Sequence, residues 1–126
     1  MAATDSLPSD GMIPELNDST VNDTLAMYPF FILDVYEPLC NPCQRMKAAI
    51  FELSLELSGQ AAFGMIDGKK NQKTDRGYNI SSYPTLLVFE NGTLVDRREG
   101  FASKRYIVDG LRRVKPDLNT SRVTYG

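Results

Sequence analysis

Residues 30–43, "FFILDVYEPLCNPC", join a long apolar run to the two cysteines of the chain. Phe30 to Tyr36 has the length of a strand and is nearly continuous in apolar residues, which is typical of a strand covered on both faces. From Cys43 to Ser58, apolar residues recur at steps of three and four, as on one face of a helix. These positions are Met46, Ala49, Ile50, Leu53 and Leu57. The stretch therefore predicts a central buried strand that leads into an amphipathic helix.

The neighbouring segments alternate between strand and helix patterns. Upstream, "MIPEL" reads as a short edge strand, because Pro14 cannot donate to a central ladder. Asp18 or Ser19 is a candidate N-cap of a helix in "DSTVNDTLAMY". Downstream, "AAFGMID" is strand-like, and "KNQKTDRGYN" is a polar, helical connection.

The last part of the chain predicts a hairpin and a final helix. In "PTLLVFENGTLVDRRE", two strand-like runs flank Asn91 and Gly92, which both tolerate the positive φ of a type I′ turn. Ser103 is the predicted cap of the helix "KRYIVDGLRRV". The resulting order, β-α-β-α-β-α-β-β-α, predicts an α/β fold, a three-layer α/β/α sandwich with a mainly parallel but mixed central sheet.

Length and composition predict one domain and few kinds of partner. The 126 residues have room for a single core, so we assign residues 12–114 to the domain and residues 1–11 and 115–126 to flexible polar tails. A net charge of −2 with scattered Lys and Arg provides no basic patch for nucleic acid or anionic membrane. The apolar runs of the sequence are far shorter than the roughly 20 residues that span a bilayer, and the N-terminal residues lack the basic and apolar regions of a secretory signal. We therefore expect a soluble, cytoplasmic monomer without nucleic-acid or membrane partners.

The absence of histidine narrows the chemistry open to the cysteines. Histidine-assisted hydrolysis, c-type haem attachment and the usual zinc sites all need an imidazole. A zinc or iron–sulfur site needs about four soft ligands, and the chain supplies two thiols. Unless a dimer shared two cysteine pairs, we expect no metal and no cofactor.

Cys40 and Cys43 lie where the strand meets the helix, and this position makes them unequal. Cys40 falls at or just before the helix start, where unpaired N–H groups and the helix dipole stabilise a thiolate. Cys43 lies one turn further in. A pair spaced three residues apart on a first helical turn is close enough to form a disulfide, and Pro42 restricts the backbone to helix-compatible φ. The spacing indicates a reversible redox pair.

Asp34 is the one charged residue of the apolar strand. A buried carboxylate is costly unless it is partnered or protonated. Asp34 is therefore either an acid–base group with a raised pKa or a sign that the strand is less buried than predicted.

Three motifs together resemble the thioredoxin family over roughly residues 13–114. "ILDVYEPLCNPC", "SYPTLLVFENG" and "EGFAS" stand in the order of the family's buried-acid strand with its active site, its cis-proline hairpin and the glycine loop that follows. The resemblance implies the thioredoxin fold. It further implies that Cys40 is the exposed nucleophile, Cys43 the resolving thiol, and Asp34 the buried acid that shuttles a proton for Cys43.

The resemblance also implies a substrate-binding surface around the cysteines. Pro84 would be cis, which would bring the backbone of Tyr83 beside the sulfurs, where it would pair with an extended substrate strand. The remaining docking residues implied by the resemblance are Leu39, Asn41, Pro42, Gly100 and Phe101.

The function implied is that of a thiol–disulfide oxidoreductase. Its substrates would be disulfide-containing proteins, and a thioredoxin-reductase-type enzyme would donate its electrons. A chain without a secretory signal favours a reductase. Two alternatives stay open: a redox-inactive binding module of the same fold with a structural disulfide, and a disulfide oxidase or isomerase.

Some residues depart from the family pattern. Leu39 and Asn41 stand in place of the tryptophan and glycine of the usual Trp-Cys-Gly-Pro-Cys, and Met65 occupies the approximate place of a lysine that often pairs with the buried acid. Glu37 precedes the site, where a carboxylate tends to raise the pKa of Cys40. These departures leave the redox potential and the choice of reductase open.

Overall fold

The computed structural model describes residues 13–126, so the predicted tail of residues 1–11 lies outside the described residues. Within the described part, five strands and four helices follow the predicted order. The strands are β1 Glu15–Leu16, β2 Phe30–Tyr36, β3 Ala62–Asp67, β4 Thr85–Glu90 and β5 Thr93–Glu99. The helices are α1 Val21–Met27, α2 Asn41–Glu56, α3 Gln72–Gly77 and α4 Lys104–Val114. None of these helices has the length and apolar composition needed to cross a membrane.

The strands form one mixed sheet in the order β1-β3-β2-β4-β5. β2 is central and β1 lies at an edge, as predicted. β1, β3 and β2 run parallel, whereas β4 is antiparallel to β2 and β5 is antiparallel to β4. The sheet is therefore mixed, as predicted, but it is not mainly parallel. The short α3 connection returns β4 beside β2 in the opposite direction, instead of forming a parallel crossover.

Helices cover both faces of the sheet, which confirms the predicted three layers. On one face, α2 and α4 pack against alternate residues of β2, including Ile32, through Met46, Ile50 and Leu111. On the other face, α1 packs against Leu33 and its neighbours. β2 is thus enclosed on both sides, as its apolar sequence predicts.

The predicted β4–β5 turn and the predicted N-cap of α4 agree with the structure, whereas the predicted N-cap of α1 does not. Asn91 and Gly92 adopt φ values of 51° and 82° in the β4–β5 turn, as predicted. The Ser103 side chain accepts a hydrogen bond from the N–H of Tyr106, which confirms the cap of α4. The predicted cap of α1 was wrong, because the N-cap residue is Thr20.

Asp18, one of the two candidates for that cap, instead connects two separate segments. Its carboxylate accepts hydrogen bonds from the backbone N–H and the hydroxyl of Thr74, at 2.9 and 2.8 Å. Asp18 therefore satisfies donors of α3, and these hydrogen bonds hold its pKa below the ordinary value even though partial burial opposes that shift.

Residues 115–126 pack against the domain, in contrast to the flexible C-terminal tail predicted from their composition. Leu118 is 4% exposed and joins the core cluster beneath α2 and α4, and Val123 packs against the same cluster. The backbone N–H of Asn119 donates to Oε1 of Gln60 at 2.6 Å, and Nε2 of Gln60 donates back to the carbonyl of Asn119 at 2.8 Å. Two isolated apolar residues and a reciprocal amide pair thus anchor a segment that reads as polar.

Candidate functional site

The two cysteines lie at the first turn of α2. Cys40 is the N-cap residue, with extended backbone angles of φ −139° and ψ 107°, and Pro42 stands in the first turn. The N–H of Cys43 donates to Sγ of Cys40 at 3.1 Å. The two residues are joined by a disulfide, with Cα atoms 5.2 Å apart. The strand-to-helix junction therefore holds the pair in the geometry that reversible oxidation requires.

The environments of the two sulfurs differ. Cys43 is 3% exposed and belongs to the buried face of α2, whereas Cys40 is only partly buried. The Cys43 N–H and the N-terminal dipole of α2 both point at Cys40 Sγ, and both stabilise negative charge there in the reduced state. Cys40 is therefore the more accessible of the two sulfurs.

The loop before β4 runs alongside Cys40. The carbonyl oxygen of Tyr83 lies 3.8 Å from Cys40 Sγ. The Tyr83–Pro84 peptide bond is cis, as the resemblance implied. The N–H of Gly100 donates to the carbonyl of Pro84 at 2.8 Å, so the loop after β5 adjoins the same place. Three segments that are distant in sequence meet beside one sulfur.

Exposed side chains surround this meeting point. Leu39 is 97% exposed and Phe101 is 40% exposed, so two large apolar side chains face solvent here. Asn41 and Pro42 are exposed as well. The guanidinium of Arg45 lies 4.2 Å from the centre of the Phe101 ring, so Phe101 lies beside the first turn of α2. Of the predicted docking residues, Leu39, Asn41, Pro42 and Phe101 are exposed, Tyr83 and Gly100 are partly buried, and Pro84 is buried.

Asp34 is fully buried in the middle of β2. Within the described residues, neither of its carboxylate oxygens has a hydrogen-bond partner. Burial, reinforced by the charge of Glu15 and opposed by that of Lys47, raises the pKa of Asp34 to about 7. The strand is therefore as buried as its sequence predicts, and the raised pKa of Asp34 follows from that burial.

Comparison with known proteins places these features in a family. The sequence model described as Thioredoxin matches residues 12–113. The chain belongs to the thioredoxin family. The thioredoxin of Buchnera aphidicola subsp. Acyrthosiphon pisum is 33% identical over 93 residues, which cover 73% of this chain and 86% of that protein. The thioredoxin of Staphylococcus aureus is 31% identical over 80 residues, covering 64% and 77% of the two chains.

Two further similarities extend the comparison. Protein disulfide isomerase-like 5-3 of Oryza sativa subsp. japonica is 26% identical over 117 residues, which cover 90% of this chain but 27% of that longer protein. A mutant thioredoxin from Halobacterium salinarum NRC-1 superposes with a TM-score of 0.76 at 22% identity, covering 84% of this chain and 93% of that one. At 22% identity, the similarity to the Halobacterium salinarum structure shows the fold alone. Family membership and the joined cysteine pair together support thiol–disulfide oxidoreductase chemistry in general.

Asp34 lies in a row of residues that crosses three strands of the sheet. Met65 lies directly across from Asp34 in the β2–β3 register, and Glu15 lies across from Met65 in the β1–β3 register. The Tyr36 hydroxyl donates to Oε2 of Glu15 at 2.7 Å. The nearest charged neighbour along this row is thus a carboxylate, which the sequence did not reveal because the row forms only when the strands pair.

A second feature that the sequence analysis missed involves Tyr83. Its hydroxyl donates to Oδ1 of Asp75 at 2.9 Å. Asp75 lies in α3, eight residues earlier, in a segment that reads only as a polar connection. No spacing rule signals this contact, because it depends on how the α3–β4 loop folds back.

The described residues offer little for a metal. In the range 13–126, no three or more of the side chains that commonly bind metals come together.

Proposed function

We propose that the chain is a protein-disulfide reductase of the thioredoxin type. The observation that carries the proposal is the position of Cys40: partly exposed, capping α2, and 3.8 Å from the backbone carbonyl of Tyr83. A backbone group beside the reactive sulfur suits an extended peptide that presents its own disulfide. The exposed apolar side chains of Leu39 and Phe101 suit the docking of protein substrates over polar small molecules.

The reaction proceeds by two thiol–disulfide exchanges. The Cys40 thiolate attacks one sulfur of the substrate disulfide, which forms a mixed disulfide and releases the other substrate sulfur as a thiolate. The Cys43 thiol then loses its proton and attacks Cys40 Sγ. The mixed disulfide breaks, the second substrate sulfur leaves as a thiolate, and the Cys40–Cys43 disulfide forms. Two electrons pass to the substrate, and a reductase-type enzyme returns two electrons to the cysteines.

Asp34 is proposed to take part in the second exchange. Cys43 is buried, so its proton has no direct contact with solvent. A buried carboxyl with a pKa of about 7 is present in both protonation states near neutral pH, and it is therefore suited to accept that proton and return it. Lys47, one turn beyond Cys43 on α2, is close enough to influence the charge of Asp34.

The second candidate function is disulfide oxidation or isomerisation. The observation that favours it is the match to a protein disulfide isomerase-like protein over 90% of this chain. A reductase and an oxidase use the same two cysteines, and the direction depends on their reduction potential. A redox-inactive binding module is the third possibility, in which the Cys40–Cys43 disulfide is only structural.

Reduction of insulin in the presence of dithiothreitol tests the proposal. The wild-type protein should accelerate precipitation of the insulin B chain, and Cys40→Ser should abolish the acceleration. Reduced Cys43→Ser, mixed with insulin in the absence of dithiothreitol, should stop after the first exchange and accumulate a mixed disulfide that added dithiothreitol then resolves. A wild-type rate equal to the dithiothreitol background would reject the enzyme and leave the binding module.

The biological setting is a separate proposal. We propose that the protein works as a monomer in the cytoplasm and reduces disulfide-containing proteins. A thioredoxin-reductase-type donor would then reduce the Cys40–Cys43 disulfide again. A reducing compartment supplies the electrons that such a cycle needs. Coupling to NADPH through a purified thioredoxin reductase tests the donor, and size-exclusion chromatography with light scattering tests the monomer.

A further inference from the structure

We propose that Asp75 is a positioning residue for substrate binding, which holds the Tyr83 side chain so that the Tyr83 backbone stays beside Cys40. This inference rests on the proposed function, because it concerns how the same site binds an extended disulfide substrate. Asp75 does not touch the reacting sulfurs. It acts through Tyr83, whose carbonyl lies 3.8 Å from Cys40 Sγ.

The contact between the two side chains is direct and partly buried. The Tyr83 hydroxyl donates to Oδ1 of Asp75 at 2.9 Å. Burial, together with this hydrogen bond and the charge of Asp75, raises the pKa of Tyr83 to about 12. The phenol therefore remains a hydrogen-bond donor throughout the physiological pH range.

The acceptor is itself fixed by the backbone on both sides. The N–H of Asp75 donates to the carbonyl of Asn71 at 3.0 Å, and the carbonyl of Asp75 accepts from the N–H of Ile80 at 2.9 Å. The second bond ties Asp75 to the chain three residues before Tyr83. The hydroxyl of Tyr83 is thus anchored to Asp75 of α3, whose own backbone is hydrogen-bonded on both sides.

The side chains of Tyr83 and Asp75 both pack closely against Gly68. A Cβ added to Gly68 would lie 2.6 Å from Cε1 of Tyr83 and 2.5 Å from Oδ1 of Asp75, closer than such atoms approach in proteins. The N–H of Gly68 donates to the carbonyl of Tyr36 at 2.8 Å, which fixes Gly68 to the end of β2, four residues before Cys40. The Tyr83 ring therefore lies against Gly68, which is itself bonded to the end of β2, and its hydroxyl is held by Asp75.

A fixed Tyr83 matters for a substrate that binds through its backbone. An extended peptide gains hydrogen bonds only if the loop is already ordered, because ordering it on binding lowers affinity. A small disulfide without a peptide backbone needs only Cys40. Loss of the Asp75 contact should therefore weaken peptide binding selectively, and should leave the intrinsic reactivity of the sulfur largely unaffected.

The test compares a peptide disulfide with Ellman's reagent. We expect Asp75→Ala and Tyr83→Phe each to raise KM for a fluorogenic disulfide between two short extended peptides by about three- to tenfold, the effect of one lost hydrogen bond. The kcat should change less than KM, and the rate constant of the reduced protein with Ellman's reagent should not show the same fold-change. Asp109→Ala and Tyr106→Phe, at exposed positions of α4, are the matched controls.

Two further variants separate positioning from a general loss of structure. Asp75→Asn keeps an oxygen acceptor and should restore most of the peptide KM. The double variant Asp75→Ala/Tyr83→Phe should raise the peptide KM no more than the more impaired single variant does, because both substitutions remove the same hydrogen bond. Thermal unfolding of every variant shows which of them fold, and Tyr83→Phe keeps the ring that rests on Gly68.

Each other outcome overturns the inference in a distinct way. An unchanged peptide KM in both single variants would show that the contact does not position the loop, while the proposed function would stand. Equal losses with peptide and Ellman's reagent would show a general effect on the site. A wild-type protein that reduces neither substrate would reject the proposed function itself and the inference with it.

Discussion

Glu15 and Asp34 lie in one row across the sheet, separated by Met65 of β3. Asp34 is enclosed and without a hydrogen-bond partner among the described residues, whereas Glu15 lies at the edge and accepts a hydrogen bond from Tyr36. Burial, reinforced by the negative charge of Glu15, disfavours ionisation of Asp34, so Asp34 retains its proton to higher pH. This arrangement leads to predictions about stability and about proton affinity.

The first prediction concerns stability against pH in Asp34→Asn. The pKa of Asp34 is raised from 3.8 to about 7 in the folded state, so the folded protein binds the proton more tightly than the unfolded chain does. Stability therefore falls as the pH rises from about 4 to about 7, and Asp34→Asn avoids that loss. Its advantage over the wild type should grow by about 2–3 kcal/mol between pH 5 and pH 8.

Urea unfolding at the two pH values measures this change. Asp109→Asn, which removes the charge of an exposed carboxylate of α4, is the matched control. A stability gap for Asp34→Asn that is the same at both pH values would contradict the buried-acid account.

The second prediction concerns Glu15. Because its charge is a cause of the raised pKa of Asp34, Glu15→Gln should lower the pKa of Asp34 below the wild-type value of about 7. The carbon-13 chemical shift of the Asp34 carboxyl, followed by NMR against pH, gives the value directly. Glu90→Gln is the control, since Glu90 pairs with Phe30 at the other end of β2. An unchanged or higher Asp34 pKa in Glu15→Gln would show that the charge of Glu15 does not raise the pKa of Asp34.

The third prediction concerns the reactivity of the two thiols. In the reduced protein, Cys40 should react with iodoacetamide at least about tenfold faster than Cys43, because thiolate character and access both favour the N-cap residue. Mass spectrometry of peptides after a short labelling pulse measures the ratio. Equal labelling, or faster labelling of Cys43, would contradict the assignment of Cys40 as the attacking sulfur.

The fourth prediction concerns the C-terminal segment. Leu118→Ala should lower the free energy of unfolding by about 2–3 kcal/mol, since the side chain is buried against the core of α2 and α4. Leu55→Ala is the matched control, because Leu55 is 41% exposed on α2 and its replacement should cost much less. Equal and small losses in chemical denaturation would show that residues 115–126 add nothing to stability.

The elements of the fold were predictable because their signals are local. The apolar run of β2, the helical spacing of α2 and the Asn91-Gly92 turn each act within a few residues, and the structure agrees with each of them. The cysteine pair was equally readable, since its position at the strand–helix junction follows from the two flanking patterns.

The contacts that tune the site were not predictable in the same way. Glu15 reaches the row of Asp34 only after β1 pairs with β3, and Asp75 meets Tyr83 only after the loop folds back. Leu118 is a single apolar residue in a polar run, so no periodicity marks it as buried. Each of these depends on tertiary structure, which a periodic pattern does not encode.

The equilibrium reduction potential of the Cys40–Cys43 pair against glutathione tests the central claim most directly. In the reduced state, the Cys40 thiolate is stabilised by one N–H and a helix dipole, without any histidine in the chain and with Glu37 nearby. A modestly stabilised thiolate makes the couple reducing, whereas strong oxidants owe their potential to a stabilised reduced form. The proposed reductase function predicts a potential of about −270 mV, and a potential of about −120 mV would contradict it.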